Sequence, residues 1–513
     1  MPDKKTKING FILSLLIFLL GIFNLDNNCN WGDDYAAYLT DGIAIATGNY
    51  EEQISINAFL RFGNDGNDSV HVHAIGMPLI HSLVYSLFGF DRCNFGNLFL
   101  YKLPSLIFFS AMCGFYFLFL RKRFDVISSV VLTLAGCCSM EYFYAIRNLG
   151  NDVIYMSVVI IIFYEAELFL GENKRKPLTG AVLGILMWLA VSVRLNGISI
   201  LLLAFLLHVL SLRRQKISPK VVDAIPYAVF GLLFIVINCL IFRLPTSTSS
   251  MSAISLQDVV EGSDYYFQQL YNFFYTLVNN ALIEPLQFVI RIIAPQKNPV
   301  TLYSYLNVFI TYAVFGLMFI GLIVSITKGE IAYSIYAFAS FFITAGLRLG
   351  QQLRYLYTII PIMVMYLRYG ISFIRDCFKG KIIIPNKIKS ITCFVCSAVL
   401  CCFIAIPVIR DDIENIKANN REPLTAYSDY AVEAYNYIEN NVSQDSIIAF
   451  FKPRALYLNT GILSFLPGKN GMDVADGDYY LYYKPDPDFL LPDETSFSAV
   501  FENEEFKLFK KIG

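Results

Sequence analysis

The chain has 513 residues, of which 56% are hydrophobic, 15% aromatic and only 16% charged, and its mean hydropathy is +0.52. One soluble core could not bury that much apolar surface, so the composition excludes an ordinary soluble domain and predicts an α-helical polytopic membrane protein. The formal net charge of −1 gives no basic excess, and the sequence has no groove-like pattern of basic and aromatic residues, so nucleic acid is not an expected partner.

Eleven hydrophobic segments are long enough to be transmembrane helices in windows of about 19 residues. The first follows three lysines and lacks a small-residue cleavage site, so we interpret it as a retained helix and not as a signal peptide. The predicted spans are residues 8–25, 97–120, 126–145, 152–170, 178–193, 196–212, 222–243, 301–326, 331–347, 355–374 and 391–409. Residues 1–409 therefore form the predicted transmembrane domain, with two long connections at 26–96 and 244–300.

The basic residues indicate which way the chain crosses the membrane. The short connections on one side carry 19 Lys and Arg residues, whereas the two long connections on the other side are several times poorer in them. Because Lys and Arg near span ends resist translocation, the N-terminus is predicted to be cytoplasmic and the long connections and C-terminal tail to lie outside. The inward connections contain basic residues that anchor the span ends and no candidate site residue. A site is therefore expected to face outward, where no nucleotide is available, and the sequence has neither a P-loop nor a GxGxxG motif.

The first outward connection contains paired carboxylates, Asp33 and Asp34, in CNWGDDYAAYLTDGIAIATGNY. The apolar residues that follow recur every three or four positions, which predicts a helix lying along the membrane interface. Either aspartate could cap the start of this helix. The functional interpretation is that one of them is a general base for an acceptor at the boundary between water and lipid.

Two histidines, His71 and His73, follow in the same connection, two positions apart. Each could accept a proton near neutral pH or contact a phosphate, and we retain His73 as a candidate substrate-binding residue, with a solvated loop as the alternative. The eleven cysteines form no pair of CxxC motifs and lie mostly in apolar runs. No metal site or other cofactor is therefore predicted, although a divalent ion would be compatible with the site.

Charged residues recur at the outer ends of later spans. Arg147 and Asp152 flank the turn between the third and fourth spans, where an ion pair or a helix cap is the alternative to a binding role. Arg194 interrupts a long apolar stretch, and a charge at that depth needs a partner or a water-filled cavity. Arg354, with Tyr355 beside it, opens the tenth span, where a guanidinium could hold a phosphate or extend to the interface.

The remaining outward segments differ in character. Residues 244–300 include an aromatic-rich amphipathic stretch, interpreted as an interfacial anchor or, alternatively, as a lid over a donor pocket. Residues 410–513 break the hydrophobic pattern and predict a small soluble α/β domain outside the membrane, without a second active site. Its predicted helices lie in PLTAYSDYAVEAYNYIENNV and RALYLNTG, and its predicted strands in DSIIAFF, DYYLYY and FSAVFENEEFKLFKKI.

Taken in order, these segments resemble the GT-C fold glycosyltransferases. The resemblance rests on WGDDYAAYLTDGIAIATGNY, HAIGMPLIHSLVYSLFG, RNLGNDVIY, VSVRLNGISILLLAFL and LRYLYTIIPIMVMYL, and it covers about residues 8–375. The most similar branch depends on polyprenyl-phosphate sugars and includes protein O-mannosyltransferases, aminoarabinose transferases of lipid A and bacterial PMT-like proteins. The chain departs from it where PPGYP reads AIGMP and where an Asp-Glu pair reads Asp-Asp.

This resemblance implies a membrane enzyme that transfers a sugar, with inversion, from a polyprenyl-phosphate donor to a glycan, lipid or protein acceptor. The reaction would take place on the outer face of a bacterial inner or plasma membrane. The resemblance assigns the acceptor-activating carboxylate to Asp33 or Asp34, with Asp33 favoured, a second acid of the cavity to Asp152, and phosphate contacts to Arg194 and Arg354. A transporter or flippase of lipid-linked glycans is the alternative, but the sequence lacks the inverted pair of interrupted apolar segments that many carriers have.

Overall fold

A computed structural model describes residues 3–23, 25–32, 34–62, 74–90, 97–137, 139–171, 176–194, 197–215, 220–242, 256–279, 283, 287, 300–345, 353–378, 425–468, 472–485, 491–493 and 495–512. These residues form a large group of helices followed by a small mixed α/β domain. The predicted span at 391–409 and the predicted domain boundary at 409/410 lie outside them.

The helices of the first part follow the hydrophobic segments of the sequence. They are α1 (Lys4–Ile22), α2 (Asp34–Thr47), α3 (Tyr50–Phe62), α4 (Gly76–Phe88), α5 (Leu98–Arg121), α6 (Val126–Cys137), α7 (Met140–Arg147), α8 (Asn151–Gly171), α9 (Pro177–Val193), α10 (Ile198–Gln215), α11 (Ile225–Leu233), α12 (Leu256–Val278), α13 (Val300–Thr327), α14 (Ile331–Ala345) and α15 (Ile360–Cys377). A 3₁₀ turn precedes α11 at Val221–Ala224, a π-helical segment continues it at Phe234–Ile241, and a second 3₁₀ turn at Leu353–Leu356 precedes α15.

Five of the described helical segments are long and apolar enough to cross a membrane, or six if the bent pair α6 and α7 forms one span. They are Lys4–Ile22, Leu98–Arg121, Asn151–Leu170, Val221–Ile241 and Tyr303–Thr327. Three predicted spans correspond to shorter apolar helices, namely Pro177–Val193, Ile198–Arg213 and Ile331–Ala345, and a fourth such helix, Gly76–Phe88, lies in the predicted outward connection 26–96. These lengths are those of an integral membrane protein. The predicted count of eleven spans is not confirmed.

Small residues allow the long helices to pack closely. At Gly321 of α13, a Cβ atom would overlap the carbonyl oxygen of Tyr366 in α15, and at Gly370 of α15 a Cβ atom would overlap the carbonyl oxygen of Leu317 in α13. Each helix therefore places a glycine against the backbone of the other. This is the arrangement expected where helices associate without a hydrophobic driving force between them.

A buried ion cluster joins the helix ends that the sequence predicts to face inward. Arg123, directly after α5, has a side chain only 9% exposed and forms ion pairs with Glu167 of α8 and, at 2.7 Å, with Glu330 before α14. Lys122 adds a contact of 3.3 Å to Glu167. The sequence predicts these basic residues only as anchors of the span ends, but Lys122 and Arg123 join three segments of the chain. Their acidic partners are distant in sequence, so no local pattern shows them.

Helix α2 is buried on nearly all sides, whereas its sequence predicts an interfacial helix with one wet face. Its buried residues include Tyr35, Leu39, Asp41 and Ala44, which point in different directions around the helix. Helix α4 packs on one side of it, and α2 also shares a hydrophobic core with the C-terminal domain. Packing against α4 and the C-terminal domain therefore leaves α2 without the wet side that the sequence predicts.

The C-terminal domain has the predicted mixture of helices and strands. Its elements are α16 (Asp429–Asn441), β1 (Ile448–Ala449), α17 (Pro453–Thr460), β2 (Ser464–Phe465), β3 (Tyr479–Tyr483), β4 (Phe497–Glu502) and β5 (Phe506–Lys511). The sheet order is β2-β1-β3-β5-β4, with β1 parallel to β2 and β3, and β5 antiparallel to β3 and β4. Gly461, the last residue of the segment RALYLNTG, ends α17 with a φ of 74°, because glycine adopts this left-handed conformation without strain.

Candidate active site

A cavity of about 690 Å³ opens among the helix ends that the charge pattern predicts to face outward. Its walls come from four places: the residues around the start of α2, the connection through α7 to α8, one side of α12, and the 3₁₀ turn before α15. The polar residues that line it are Asn30, Asp34, Tyr35, Tyr38, Ser139, Glu141, Tyr144, Asn148, Asn151, Asp152, Gln269, Asn272, Thr276, Arg354 and Tyr357. The volume is that of a small-molecule site, and the lining offers many hydrogen-bonding groups to a hydroxyl-rich ligand.

Asp152 connects two of the predicted arginines at the edge of this cavity. It lies in the first turn of α8 and is only 1% exposed. One of its carboxylate oxygens forms an ion pair with Arg194, and the other lies 3.8 Å from Nη1 of Arg354. Arg194 follows the last residue of α9 and has an extended backbone, so the helix ends there, and its buried charge has a carboxylate partner, as a charge within an apolar stretch requires.

Tyr355 completes this cluster. The guanidinium carbon of Arg194 lies 3.7 Å from the centre of the Tyr355 ring, and that of Arg354 lies 5.6 Å from it. Such contacts stabilise a cation over an aromatic face. The side chain of Arg354 is 35% exposed, whereas that of Arg194 is 10% exposed. Arg354 is the one cation among the described residues that line the cavity.

Asp34 is the first residue of α2 and lines the cavity as well. Its side chain is 54% exposed, and one carboxylate oxygen lies 3.6 Å from Nη1 of Arg454, which belongs to the C-terminal domain. Asp33 lies outside the described residues. The carboxylate of Asp34 is therefore exposed to solvent in the cavity, and it also faces an arginine of the C-terminal domain.

Arg147 belongs to a different ion cluster from Arg194 and Arg354. Its Nε lies 3.1 Å from a carboxylate oxygen of Asp26, which also forms an ion pair with the fully buried Lys102. Arg147 is not among the described residues that line the cavity, so its charge lies in a polar cluster that holds the segment before α2 against α5 and α7. His73, together with His71, lies outside the described residues.

Several cavity residues were not predicted from the sequence. Glu141 and Asn148 come from α7 and the residue after it, and Gln269, Asn272 and Thr276 come from α12. The α12 residues are spaced three and four apart, so they lie on one side of the helix. That spacing of polar side chains within an aromatic stretch is a signal that could have found them. No comparable sequence pattern indicates Glu141. Within the described residues, no group of three or more His, Cys, Asp or Glu side chains is arranged to hold a metal ion.

A second carboxylate of α2, that of Asp41, is buried. It is 1% exposed, accepts a hydrogen bond of 2.6 Å from Nδ2 of Asn57, and lies within electrostatic reach of Arg454. Burial raises the pKa of Asp41 from its ordinary 3.8 to about 7, against the opposing effects of Asn57 and Arg454. The carboxyl group therefore changes charge near neutral pH.

We expect Asp41→Asn to stabilise the protein more at pH 8 than at pH 5. An acid whose pKa is higher in the folded than in the unfolded state makes the wild type lose stability as the pH rises from about 4 to about 7. That loss is on the order of 2–4 kcal/mol, and the amide of the variant does not titrate. Thermal unfolding at both pH values measures the difference. A variant no more stable than the wild type at pH 8 would contradict the burial of an ionising Asp41.

The fold is similar to that of known structures, although the sequence is not. No protein-family model matches the chain, and no curated protein matches its sequence. Two crystal structures of ArnT from Cupriavidus metallidurans match 98% of this chain and 98% of their own at 11% identity. The TM-score is 0.52 for ArnT bound to undecaprenyl phosphate and 0.53 for ArnT in the apo state. The chain thus has the predicted GT-C fold. At this identity, the likeness shows the fold alone.

Proposed function

We propose that this protein is a membrane glycosyltransferase that moves a sugar, with inversion, from a polyprenyl-phosphate donor to a glycan, lipid or protein acceptor on the outer face of the membrane. The observation that carries the proposal is that Asp34 and Arg354 line one cavity, in a fold shared with ArnT. The first can remove a proton and the second can hold a phosphate. The undecaprenyl phosphate bound to ArnT gives the class of donor.

The proposed reaction requires two charged groups. A carboxylate of the Asp33 and Asp34 pair, of which the cavity contains at least Asp34, takes the proton of the acceptor hydroxyl or amine. The acceptor atom attacks the anomeric carbon from the face opposite the phosphate, and the bond between that carbon and the phosphate oxygen breaks. The polyprenyl phosphate leaves with the bonding electrons, and Arg354 stabilises its growing negative charge. Because the phosphate is already a leaving group, the reaction needs no further cofactor.

The other cavity residues have supporting roles in this proposal. Asp152 and Tyr355 fix the two arginines, so that Arg354 is oriented by Asp152 and remains partly exposed, while Arg194 neutralises the buried carboxylate. The amide and hydroxyl groups of the lining would bind the hydroxyls of the sugar and the acceptor. The outward orientation is supported by the distribution of Lys and Arg, which leaves the lipid tail of the donor in the membrane while the acceptor approaches from water.

Mass spectrometry of lipid-linked sugars and envelope glycans in cells with and without the gene tests the proposal. Cells without it should accumulate a polyprenyl-phosphate sugar, and one glycan, lipid or protein should lack the corresponding sugar. Together these changes would identify both substrates. Unchanged lipid-linked sugars and glycans would contradict a transferase. Accumulation of a complete lipid-linked glycan on the inner leaflet would instead indicate a flippase.

Arg354→Gln is expected to weaken binding of undecaprenyl phosphate by about 10–100-fold, because a charge-assisted hydrogen bond contributes about 1.5–3 kcal/mol. The measurement is the dissociation constant in lipid nanodiscs. Arg375→Gln is the matched control, since Arg375 is an exposed arginine at the other end of α15, paired with Asp376 at 3.1 Å. Equal affinities for the wild type and Arg354→Gln would remove Arg354 from the phosphate site.

A further inference from the structure

The segment that leads into α2 is attached to the C-terminal domain. The backbone N–H of Ala426 donates a hydrogen bond of 3.0 Å to the carbonyl oxygen of Cys29. Two residues further on, the ring of Trp31 contacts four aromatic rings of the C-terminal domain, which we call the aromatic pocket: Phe450, Phe451, Tyr483 and Phe506, with ring centres 6.0, 4.9, 5.5 and 6.0 Å away. Such contacts fix the position of the chain three residues before Asp34.

Arg454 is a second attachment, and it reaches the site itself. It lies in the first turn of α17, its side chain is 9% exposed, and its guanidinium faces the half-exposed carboxylate of Asp34 at 3.6 Å. Arg454 also acts electrostatically on Asp41, seven residues further along α2. The guanidinium thus faces a carboxylate that lines the cavity and also acts on a buried carboxylate of the same helix.

We propose that the C-terminal domain positions the Asp34 carboxylate, with Arg454 as the positioning residue and Trp31 as the anchor of the segment before it. This inference rests on the proposed function, in which the acidic pair supplies the base. An exposed carboxylate at the start of a helix can take several rotamers. The ion pair to a buried arginine selects among them, and a displacement of about 1 Å at a reacting group can cost about 10²-fold in rate.

The alternative is that Arg454 and Trp31 only hold the two domains together. In that case their loss would destabilise the domain interface without a specific effect on the chemical step. A positioning residue behaves differently, because its removal lowers kcat, leaves KM for the donor nearly unchanged, and has no effect once the carboxylate that it positions is gone.

The first test is steady-state kinetics with the polyprenyl-phosphate sugar purified from cells that lack the gene. Arg454→Ala should lower kcat by about 10–100-fold with little change in KM for the donor. Arg454→Lys should recover part of the rate, since an ammonium group retains the charge. Lys484→Ala is the control: it breaks an ion pair of 2.7 Å with Glu502 in the same domain and should leave kcat unchanged.

A double-mutant cycle separates this inference from the proposed function. In an Asp34→Asn background, Arg454→Ala should cause no further loss of rate, because two residues that act through one interaction are not additive. If Arg454→Ala slows both backgrounds by the same factor, the positioning role is wrong and the proposed function stands. If Asp33→Asn and Asp34→Asn both retain full activity, the proposed base is wrong whatever Arg454 does.

The aromatic pocket can be tested without any substrate, because the chain has only two tryptophans, Trp31 and Trp188. Trp188→Phe leaves Trp31 as the single reporter. Its emission should be blue-shifted and poorly quenched by acrylamide, and Phe451→Ala should shift the emission to the red, increase quenching and lower kcat. Emission of a fully solvated indole in the Trp188→Phe protein, or an unchanged spectrum and kcat after Phe451→Ala, would overturn the anchoring role.

Discussion

Asp34→Asn is expected to lower the rate of sugar transfer by about 10²–10⁴, the usual contribution of a general base. Asparagine has nearly the same shape as aspartate, but it cannot take the proton of the acceptor. Binding of undecaprenyl phosphate should be unchanged, because Arg354, which is proposed to hold the phosphate, remains. The measurement is the single-turnover rate with purified donor, together with donor affinity in the same preparation.

Asp33→Asn is the comparison that assigns the base within the pair. The family resemblance favours Asp33, whereas the described structure places Asp34 at the cavity. A large rate loss in only one of the two variants identifies the base, and the other variant then serves as the folding control. Wild-type rates in both variants would contradict a catalytic role for the pair.

Asp152→Leu is expected to destabilise the protein by about 3–5 kcal/mol, the usual cost of removing one partner of a buried ion pair. Both residues are buried, so the variant leaves a buried guanidinium without its carboxylate. Arg354 loses the same partner. The melting temperature in detergent and the yield of monodisperse protein measure the effect.

The double variant Asp152→Leu/Arg194→Met tests whether the unpaired charge causes this loss of stability. It removes both charges, and buried ion pairs replaced by apolar residues are often no less stable. The double variant should therefore recover much of the melting temperature lost in Asp152→Leu. It should not recover full activity, because Arg354 would still lack the carboxylate that orients it. A single variant as stable as the wild type would show that the pair has no structural role.

The sequence predicts the helical segments and the small sheet because both follow from periodic apolar patterns. Hydrophobic runs place α5 and α8 within a few residues of their observed bounds, and DYYLYY and RALYLNTG become β3 and α17. The number of membrane crossings is harder to obtain, because apolar helices at predicted spans, such as α9 and α14, are shorter than a full span. Hydropathy alone does not distinguish a short span from a buried helix.

The site was predicted only in part, because its geometry depends on contacts between distant residues. Arg147 and Arg194 look alike in sequence, since both are charges at the outer end of a span. Tertiary structure pairs the first with Asp26 and the second with Asp152. Arg454 approaches Asp34 from 420 residues further along the chain, and the C-terminal domain that helps to bury α2 is also distant in sequence, so no local pattern shows either contact.

We propose that one cavity presents a carboxylate to the acceptor and Arg354 to a polyprenyl phosphate. A cryo-electron microscopy structure with bound undecaprenyl phosphate tests it most directly. We expect the phosphate within hydrogen-bonding distance of the Arg354 guanidinium, with the Asp34 carboxylate facing the same cavity. A phosphate bound elsewhere, or an Asp34 side chain that points away from the cavity that holds the phosphate, would contradict the account.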